Sequence, residues 1–334
     1  MGPPPAYLPC AMRPERYSRA FAGYAWAFLA YLVFVILFGA WVRITHSGAG
    51  CGAHWPTCNG EVIPFDPSIE TLIEYTHRLT SGLLGLLGIL LVAWAARSFG
   101  RHRVTFAAAV TLLFIVFEAL IGAGLVLEEL VGSDASVARA VVIALHLANT
   151  LVLTAAATLT AWWAGHPQRS AVGEAGSVPR WLLVAALLAT VVTAMTGAVT
   201  ALGDTLFPVD PAAGGGLLAR LREGLSPAEH FLVRLRIVHP VVALATGGLL
   251  VRLALRLWHS PEAARPARWL LVLTVLEVLA GFVNIYLAAP GWMQILHLLL
   301  AQLLWAALVV STDVARTASP VAVHRSAASA TSPA

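Results

Sequence analysis

Four histidines lie inside long apolar segments of the sequence: His77, His146, His239 and His297. Ionisable groups at membrane depth are costly and usually functional. Two of the four fall in each half of the chain, and every one sits in an even-numbered apolar segment. Two imidazoles that face each other across a helical bundle are standard axial ligands of a porphyrin iron. The repeated pairs therefore favour two bis-histidine heme sites over four unrelated, hydrogen-bonded histidines, and a zinc site lacks its usual cysteine- or carboxylate-rich ligands.

The composition shows what kind of protein must position these histidines. Of the 334 residues, 59% are apolar and 11% are charged, whereas an ordinary soluble domain has about 45–50% apolar and about 25% charged residues. This excludes a soluble enzyme, a disordered tail protein and a disulfide scaffold. All 21 basic residues are arginines spread over many short loops, so the clustered patch of a nucleic-acid surface is excluded too.

Eight segments are apolar over the roughly 20 residues that a helix needs to cross a lipid bilayer. We predict an all-α polytopic membrane protein whose eight transmembrane helices form two pseudo-twofold-related four-helix bundles. The predicted spans are 21–43, 72–96, 104–127, 138–164, 180–202, 231–256, 269–288 and 291–312. The predicted parts are an N-terminal tail (1–20), a first bundle (21–164), a linker (165–179), a second bundle (180–312) and a C-terminal tail (313–334).

An internal repeat is the reason for predicting two bundles. A Glu-x-x-x-Gly sequence begins at Glu118 in the third segment and again at Glu277 in the seventh, and Leu-His-Leu surrounds both His146 and His297. The repeat unit is four helices, an even number, so both halves face the same way about an axis along the membrane normal. Because an unpaired ionised carboxylate inside a membrane is expensive, we expect both glutamates to serve in structural hydrogen bonds rather than in catalysis.

Over about residues 21–312 the chain resembles the heme A synthase family. The most specific stretches are GAWVRITHSG at 39–48, the following Cys51, WPTCNG at 55–60 and EYTHR at 74–78, followed by the repeated Leu-His-Leu. Members of this family oxidise a methyl group of heme O to the formyl group of heme A, which serves terminal oxidases.

The resemblance implies a role for each histidine pair. His239 and His297 would be the axial ligands of a permanent heme b, and His77 and His146 would flank the substrate, heme O. The residues alone indicate two sites without telling them apart. One departure from the family is Pro240 after His239, where an Arg commonly stands as in the first half.

The same resemblance assigns further residues. Glu74, three residues before His77 and on the same helix face, would be a catalytic carboxylate that moves protons. Arg43, Arg78 and Arg139 lie near the outer membrane interface and are candidates to bind heme propionates, as Arg binds carboxylates. Ordinary interfacial roles remain open for all four of these residues.

Cys51 and Cys58 fall in the loop between the first two segments, on the non-cytoplasmic side. That compartment permits disulfides, and a loop of this length with several glycines can close. We therefore expect a Cys51–Cys58 disulfide, either structural or redox-active.

The redox partner is expected to be external, because no Rossmann glycine motif for NAD or FAD occurs. A quinone or another membrane redox protein would accept the electrons, and the family resemblance adds the enzyme that makes heme O as a partner. Two alternatives stay open: a di-heme b-type cytochrome that exchanges electrons with quinone, and a heme carrier without turnover. The cytochrome leaves the cysteine loop and Glu74 unexplained.

We predict that both termini of this multi-pass cell-membrane protein are cytoplasmic. Fourteen arginines fall on the side of the termini and seven on the other, and arginine excess marks the cytoplasmic side. Topology reporters fused after Ala334 and in the loop near Ala213 should therefore report opposite sides of the membrane. Both reporters on one side would contradict eight spans.

Overall fold

The computed structural model describes residues 14–166, 178–209, 223–260 and 262–317. Eight helices among them are long and apolar enough to cross a membrane, which confirms the all-α polytopic fold. The helices are α1 (Pro14–Ile44), α2 (Ile69–Phe99), α3 (Arg103–Leu127), α4 (Val137–Gly165), α5 (Arg180–Leu206), α6 (Phe231–Leu235 and Val238–Trp258), α7 (Ala264–Tyr286) and α8 (Gly291–Thr317). Much of the predicted linker and tails lies outside the described residues, and the division into two pseudo-symmetric bundles remains a prediction.

Several helices begin or end beyond the predicted spans. The side chain of Ser68 accepts a hydrogen bond from the Thr71 amide, and Ser136 accepts one from the Arg139 amide. Such N-caps satisfy backbone groups at the first turn, so α2 begins at Ile69, before its apolar run does. Hydropathy alone locates the bilayer-spanning part of a helix and overlooks polar turns at its ends.

The helices pack first with their neighbours in the same half. In the first half α1 contacts α2 and α4, and α3 also contacts α2 and α4; in the second half α6 contacts α5 and α7, and α7 contacts α8. Large apolar side chains such as Leu86 and Phe106 point outward, 65% and 72% exposed. An apolar surface this extensive belongs against lipid rather than water.

Helix α4 joins the two halves, because it contacts both α5 and α8. Leu151 of α4 belongs to the apolar core of the second half, and its carbonyl accepts a hydrogen bond of 2.7 Å from the Trp305 indole. One turn further on, Thr154 donates to the Gln302 amide oxygen over 3.1 Å. These polar contacts set the register between α4 and α8, the helices that carry one histidine of each pair.

The sixth span is broken in the turn just before His239. Its helical segments stop at Leu235 and resume at Val238, where Pro240 has no amide to bond the carbonyl of Arg236. The Arg236 guanidinium lies 3.0 Å from Asp204 and donates to the carbonyls of Gly203 and Phe207. Arg236 therefore fastens the broken end of α6 to the end of α5 and fixes the position from which His239 projects.

Candidate functional site

The second histidine pair has the spacing of two ligands to one metal ion. The ring centroids of His239 and His297 are 6.4 Å apart, with the rings inclined by 74°. Two imidazoles bound to opposite sides of one metal, each through a bond of about 2 Å, have centroids about 6 Å apart. The donor set and its spacing therefore fit an iron porphyrin with two axial histidines.

Oxygen atoms lie close to Nδ1 of both rings of this pair, and those beside His239 make hydrogen bonds to it. The contact of His297 has no hydrogen-bond geometry. Nδ1 of His239 lies 3.2 Å from the Thr193 carbonyl oxygen and 3.2 Å from the Thr196 hydroxyl. Nδ1 of His297 lies 3.2 Å from a carboxylate oxygen of Glu277. Histidines that ligate a metal usually donate their other ring N–H to such an acceptor. Both rings are thus arranged to offer Nε2 to a metal.

The first pair, His77 of α2 and His146 of α4, is held less completely. The rings of Phe38 and His77 pack edge to face with centroids 5.5 Å apart. Nδ1 of His146 lies 3.5 Å from a Glu118 oxygen. Nδ1 of His77 is buried and has no hydrogen-bond partner in the part of the chain that the structure describes.

Glycines make room for the histidines in both halves. A Cβ atom on Gly39 would lie 3.2 Å from Cε1 of His77, and a Cβ on Gly197 would lie 3.0 Å from Cε1 of His239. Either contact is tighter than real Cβ atoms normally show, so each imidazole lies directly against the backbone of the facing helix. An alanine follows each of these glycines, so Gly39-Ala40 of the first half matches Gly197-Ala198 of the second.

Glu118 and Glu277 each lie beside a histidine of a candidate site, a proximity that sequence reasoning did not predict. Glu118 is also hydrogen-bonded by Asn149 and Thr150 of α4, as expected. The repetition of the two glutamates at matching places in both halves, like that of the histidines, was the available signal.

Glu74 ties the first site to the loop before α2. Its buried carboxylate accepts a hydrogen bond of 2.9 Å from the Cys51 amide and one of 3.1 Å from Nε of Arg78. Arg78 also donates to the carbonyls of His54 and Thr57, over 2.8 and 2.7 Å. The arginine adjacent to His77 is therefore engaged with Glu74 and with the loop.

The predicted disulfide between Cys51 and Cys58 is present in the structure. Both cysteines are fully buried. The loop is fastened to α2 by the Thr71 hydroxyl, which donates to the Gly50 carbonyl over 2.6 Å. A Cβ on Gly50 would lie 2.5 Å from the Glu70 backbone, so only glycine permits this close approach. The disulfide loop is thus seated on the end of α2 that carries the first site.

The other two arginines bind protein oxygens near the ends of the helices. Arg43 donates to a carbonyl of α5 and, over 2.9 Å, to the amide oxygen of Gln294, which lies three residues before His297. Arg43 of the first half thereby reaches the second site. Arg139 is buried and donates to the Gly132 carbonyl over 2.9 Å. Propionate binding by Arg43, Arg78 and Arg139 stays a prediction.

The described residues contain no cluster of three or more His, Cys, Asp or Glu side chains that could hold a metal ion. The histidine pairs, with two ligands each, instead match a metal whose remaining ligands come from a macrocycle.

Comparisons with known proteins agree with the chemistry of these pairs. Residues 22–309 match the family model COX15-CtaA, described as cytochrome oxidase assembly protein. The chain is 51% identical, over 88% of its length, to a Thermus thermophilus protein named protoheme IX farnesyltransferase. Over 96 residues it is 53% identical to a heme A synthase of Halalkalibacterium halodurans, covering 28% of this chain and 32% of that protein.

A heme A synthase of Exiguobacterium sibiricum is 36% identical over 171 residues, which cover 50% of this chain and 54% of that protein. The match to the Thermus protein covers 48% of that protein. The chain thus spans about half the length of this curated relative.

Proposed function

The chain belongs to the COX15-CtaA family of cytochrome oxidase assembly proteins, and from this membership we propose that it oxidises the methyl group of heme O to the formyl group of heme A. The observation that carries the proposal is the presence of two histidine pairs with unequal surroundings. The heme A synthases that match parts of the chain support the same reaction. The unequal pairs favour a synthase over a di-heme cytochrome, in which both hemes stay bound.

The second pair is the proposed site of a resident heme b. Both imidazoles have an oxygen within 3.2 Å of Nδ1, so the free protein already holds the two ligands in orientation. Ligands that are fixed in advance lose little freedom on binding and retain their cofactor tightly. Arg43, through its contact with Gln294, is the predicted propionate-binding residue nearest this site.

The first pair is the proposed site of the substrate, which must enter and leave. Nδ1 of His77 has no hydrogen-bond partner among the described residues. Nδ1 of His146 lies 3.5 Å from Glu118, farther than the 3.2 Å between His297 and Glu277, and Glu118 accepts hydrogen bonds from Asn149 and Thr150 instead. A less constrained pair suits a heme that is bound transiently.

The formyl group has two hydrogens fewer and one oxygen more than the methyl group. With that oxygen taken from water, the conversion releases four electrons and four protons, so the reaction needs an electron acceptor. When bound, heme b supplies one-electron transfer. The acceptor is proposed to be a quinone or another membrane redox protein. The chain's own residues hold the two hemes and, through the loop seated on α2, cover one end of the substrate site.

Glu74 is the proposed proton-handling residue beside the substrate. It lies one helical turn before His77, is 4% exposed, and keeps its carboxylate between Arg78 and the Cys51 amide. A buried carboxylate in this position is able to take up a proton that leaves the substrate. The same contacts connect any change at Glu74 to the disulfide loop.

We further propose that the protein lies in the cell membrane and that an enzyme that makes heme O is its partner. Eight apolar helices support a multi-pass membrane protein, with cytoplasmic termini as predicted from the arginines. The Thermus relative that matches 88% of this chain is named protoheme IX farnesyltransferase. That name supports a working association with an enzyme that prenylates heme.

We predict that substitutions in the two histidine pairs have different effects on heme b content and on the conversion of heme O. His239→Ala or His297→Ala should remove most of the stably bound heme b, because each deletes an axial ligand. His77→Ala or His146→Ala should leave that heme in place and abolish conversion of heme O. Visible spectra of the purified variants, with extraction and identification of their hemes, measure both effects.

The wild-type chain and the four variants are compared at equal protein concentration. Loss of heme b to the same extent from all four variants would show two equivalent resident hemes, which is the behaviour of a di-heme cytochrome. That result would overturn the synthase proposal.

We expect Glu74→Gln to keep heme b and to stall product formation. Glutamine still accepts a hydrogen bond from the Cys51 amide, so the loop contact survives while the carboxylate is lost. The matched control is the double variant Cys51→Ser/Cys58→Ser, which removes the disulfide, keeps Glu74, and should retain more conversion. Chromatography of extracted hemes gives the ratio of heme A to heme O. A normal ratio in Glu74→Gln would remove this residue from the mechanism.

A further inference from the structure

We propose that Glu277 and Glu118 are positioning residues that act through the axial histidines. Each carboxylate lies beside Nδ1 of its histidine, His146 or His297. In the heme-bound protein it would accept the Nδ1–H, fix the ring and strengthen it as an iron ligand. One oxygen of Glu277 would serve His297 alone, and its negative charge would lower the reduction potential of the resident heme. This inference rests on the proposed function, because it takes both histidines as iron ligands.

The geometry at Glu277 is that of a carboxylate committed to one imidazole. Its Oε2 lies 3.2 Å from Nδ1 of His297. The angle at this contact is not that of a hydrogen bond, and neither atom has another hydrogen-bond partner in the described part of the chain. One helical turn further along α7, a Cβ on Gly281 would lie 3.3 Å from Cε1 of His297. The ring is therefore bounded by the α7 backbone and by the carboxylate that faces its N–H.

A purely structural role does not account for this arrangement. A glutamate in an apolar helix that served only packing would direct both oxygens to neighbouring hydroxyl or amide donors, since an unpaired buried carboxylate is expensive. The oxygen of Glu277 faces the imidazole instead. Carboxylates that bond a ligating histidine in this way fix its tautomer and raise its basicity.

Glu118 makes the same approach in a weaker form. Its Oε1 lies 3.5 Å from Nδ1 of His146, and the carboxylate also accepts hydrogen bonds from Asn149 and Thr150. These donors partly neutralise the carboxylate of Glu118, so less of its negative charge acts on the imidazole of His146. The carboxylate effect is therefore larger at the second site, where the relay heme is proposed to stay, than at the first.

The electronic consequence follows from the charge on the ligand. An imidazole that shares its proton with a carboxylate donates more strongly to iron and favours the ferric over the ferrous state. Axial ligation and the hydrogen bonds made by the ligands are among the protein's means of setting a heme potential. A relay heme with a lowered potential passes its electron on more readily.

Two variants of Glu277 separate the charge from the hydrogen bond. Glu277→Gln keeps an acceptor for Nδ1–H and removes the charge, so it should retain heme b while its midpoint potential moves to a more positive value. Glu277→Leu removes the acceptor as well and should weaken heme binding by about 10- to 100-fold, the usual effect of losing such a partner. The full-length purified chain is used throughout.

Redox titration and heme content per protein are measured for the wild type, both variants and the matched control Glu118→Gln. The control should leave the potential of the resident heme unchanged. A wild-type potential in Glu277→Gln, with heme fully retained in Glu277→Leu, would overturn the inference while leaving the proposed function intact. A wild-type chain that binds no heme would contradict both.

Discussion

The constraint on which the rest of the structure depends is the burial of four imidazoles in a membrane-spanning bundle. Each ring has two nitrogens, and a nitrogen in an apolar medium needs a partner. In the second half the chain supplies oxygens for both Nδ1 atoms, from Thr193, Thr196 and Glu277. Both Nε2 atoms are left for a metal. Two features position the histidine pairs. Glycines let the rings lie against neighbouring helix backbones, and the contacts between α4 and α8 set the relative heights of His146 and His297.

The two halves share the contacts around their histidines and differ in the segments next to the histidines. Both have a histidine against a facing glycine and a glutamate beside the other histidine. Only the first adds the disulfide loop, held by Glu74 and Arg78. Only the second has a broken helix before its histidine, held by Arg236. A loop over one site and more closely held ligands at the other are what the proposed function requires, with an exchanging substrate at the first site and a resident cofactor at the second.

Sequence periodicity and apolar length predicted all eight spans, because crossing a bilayer imposes both. The Cys51–Cys58 disulfide was predicted from the expected non-cytoplasmic location of its loop and from the length of that loop. Residues that act across helices were harder to predict: Arg43 binds oxygens on α5 and α8, and Glu277 faces a histidine on another helix. Those partners depend on helix rotation and register, which the sequence of one helix does not encode. Arg43, Arg78 and Arg139, the predicted propionate-binding arginines, have protein oxygens as partners in the structure.

The central claim is that this chain changes the chemistry of a heme rather than only passing electrons. The most direct test is to purify the wild-type chain from cells that supply heme O, extract its porphyrins and identify them by mass spectrometry. The account predicts heme b together with formyl-bearing heme A. Heme b alone, with heme O unchanged in the same membranes, would contradict it.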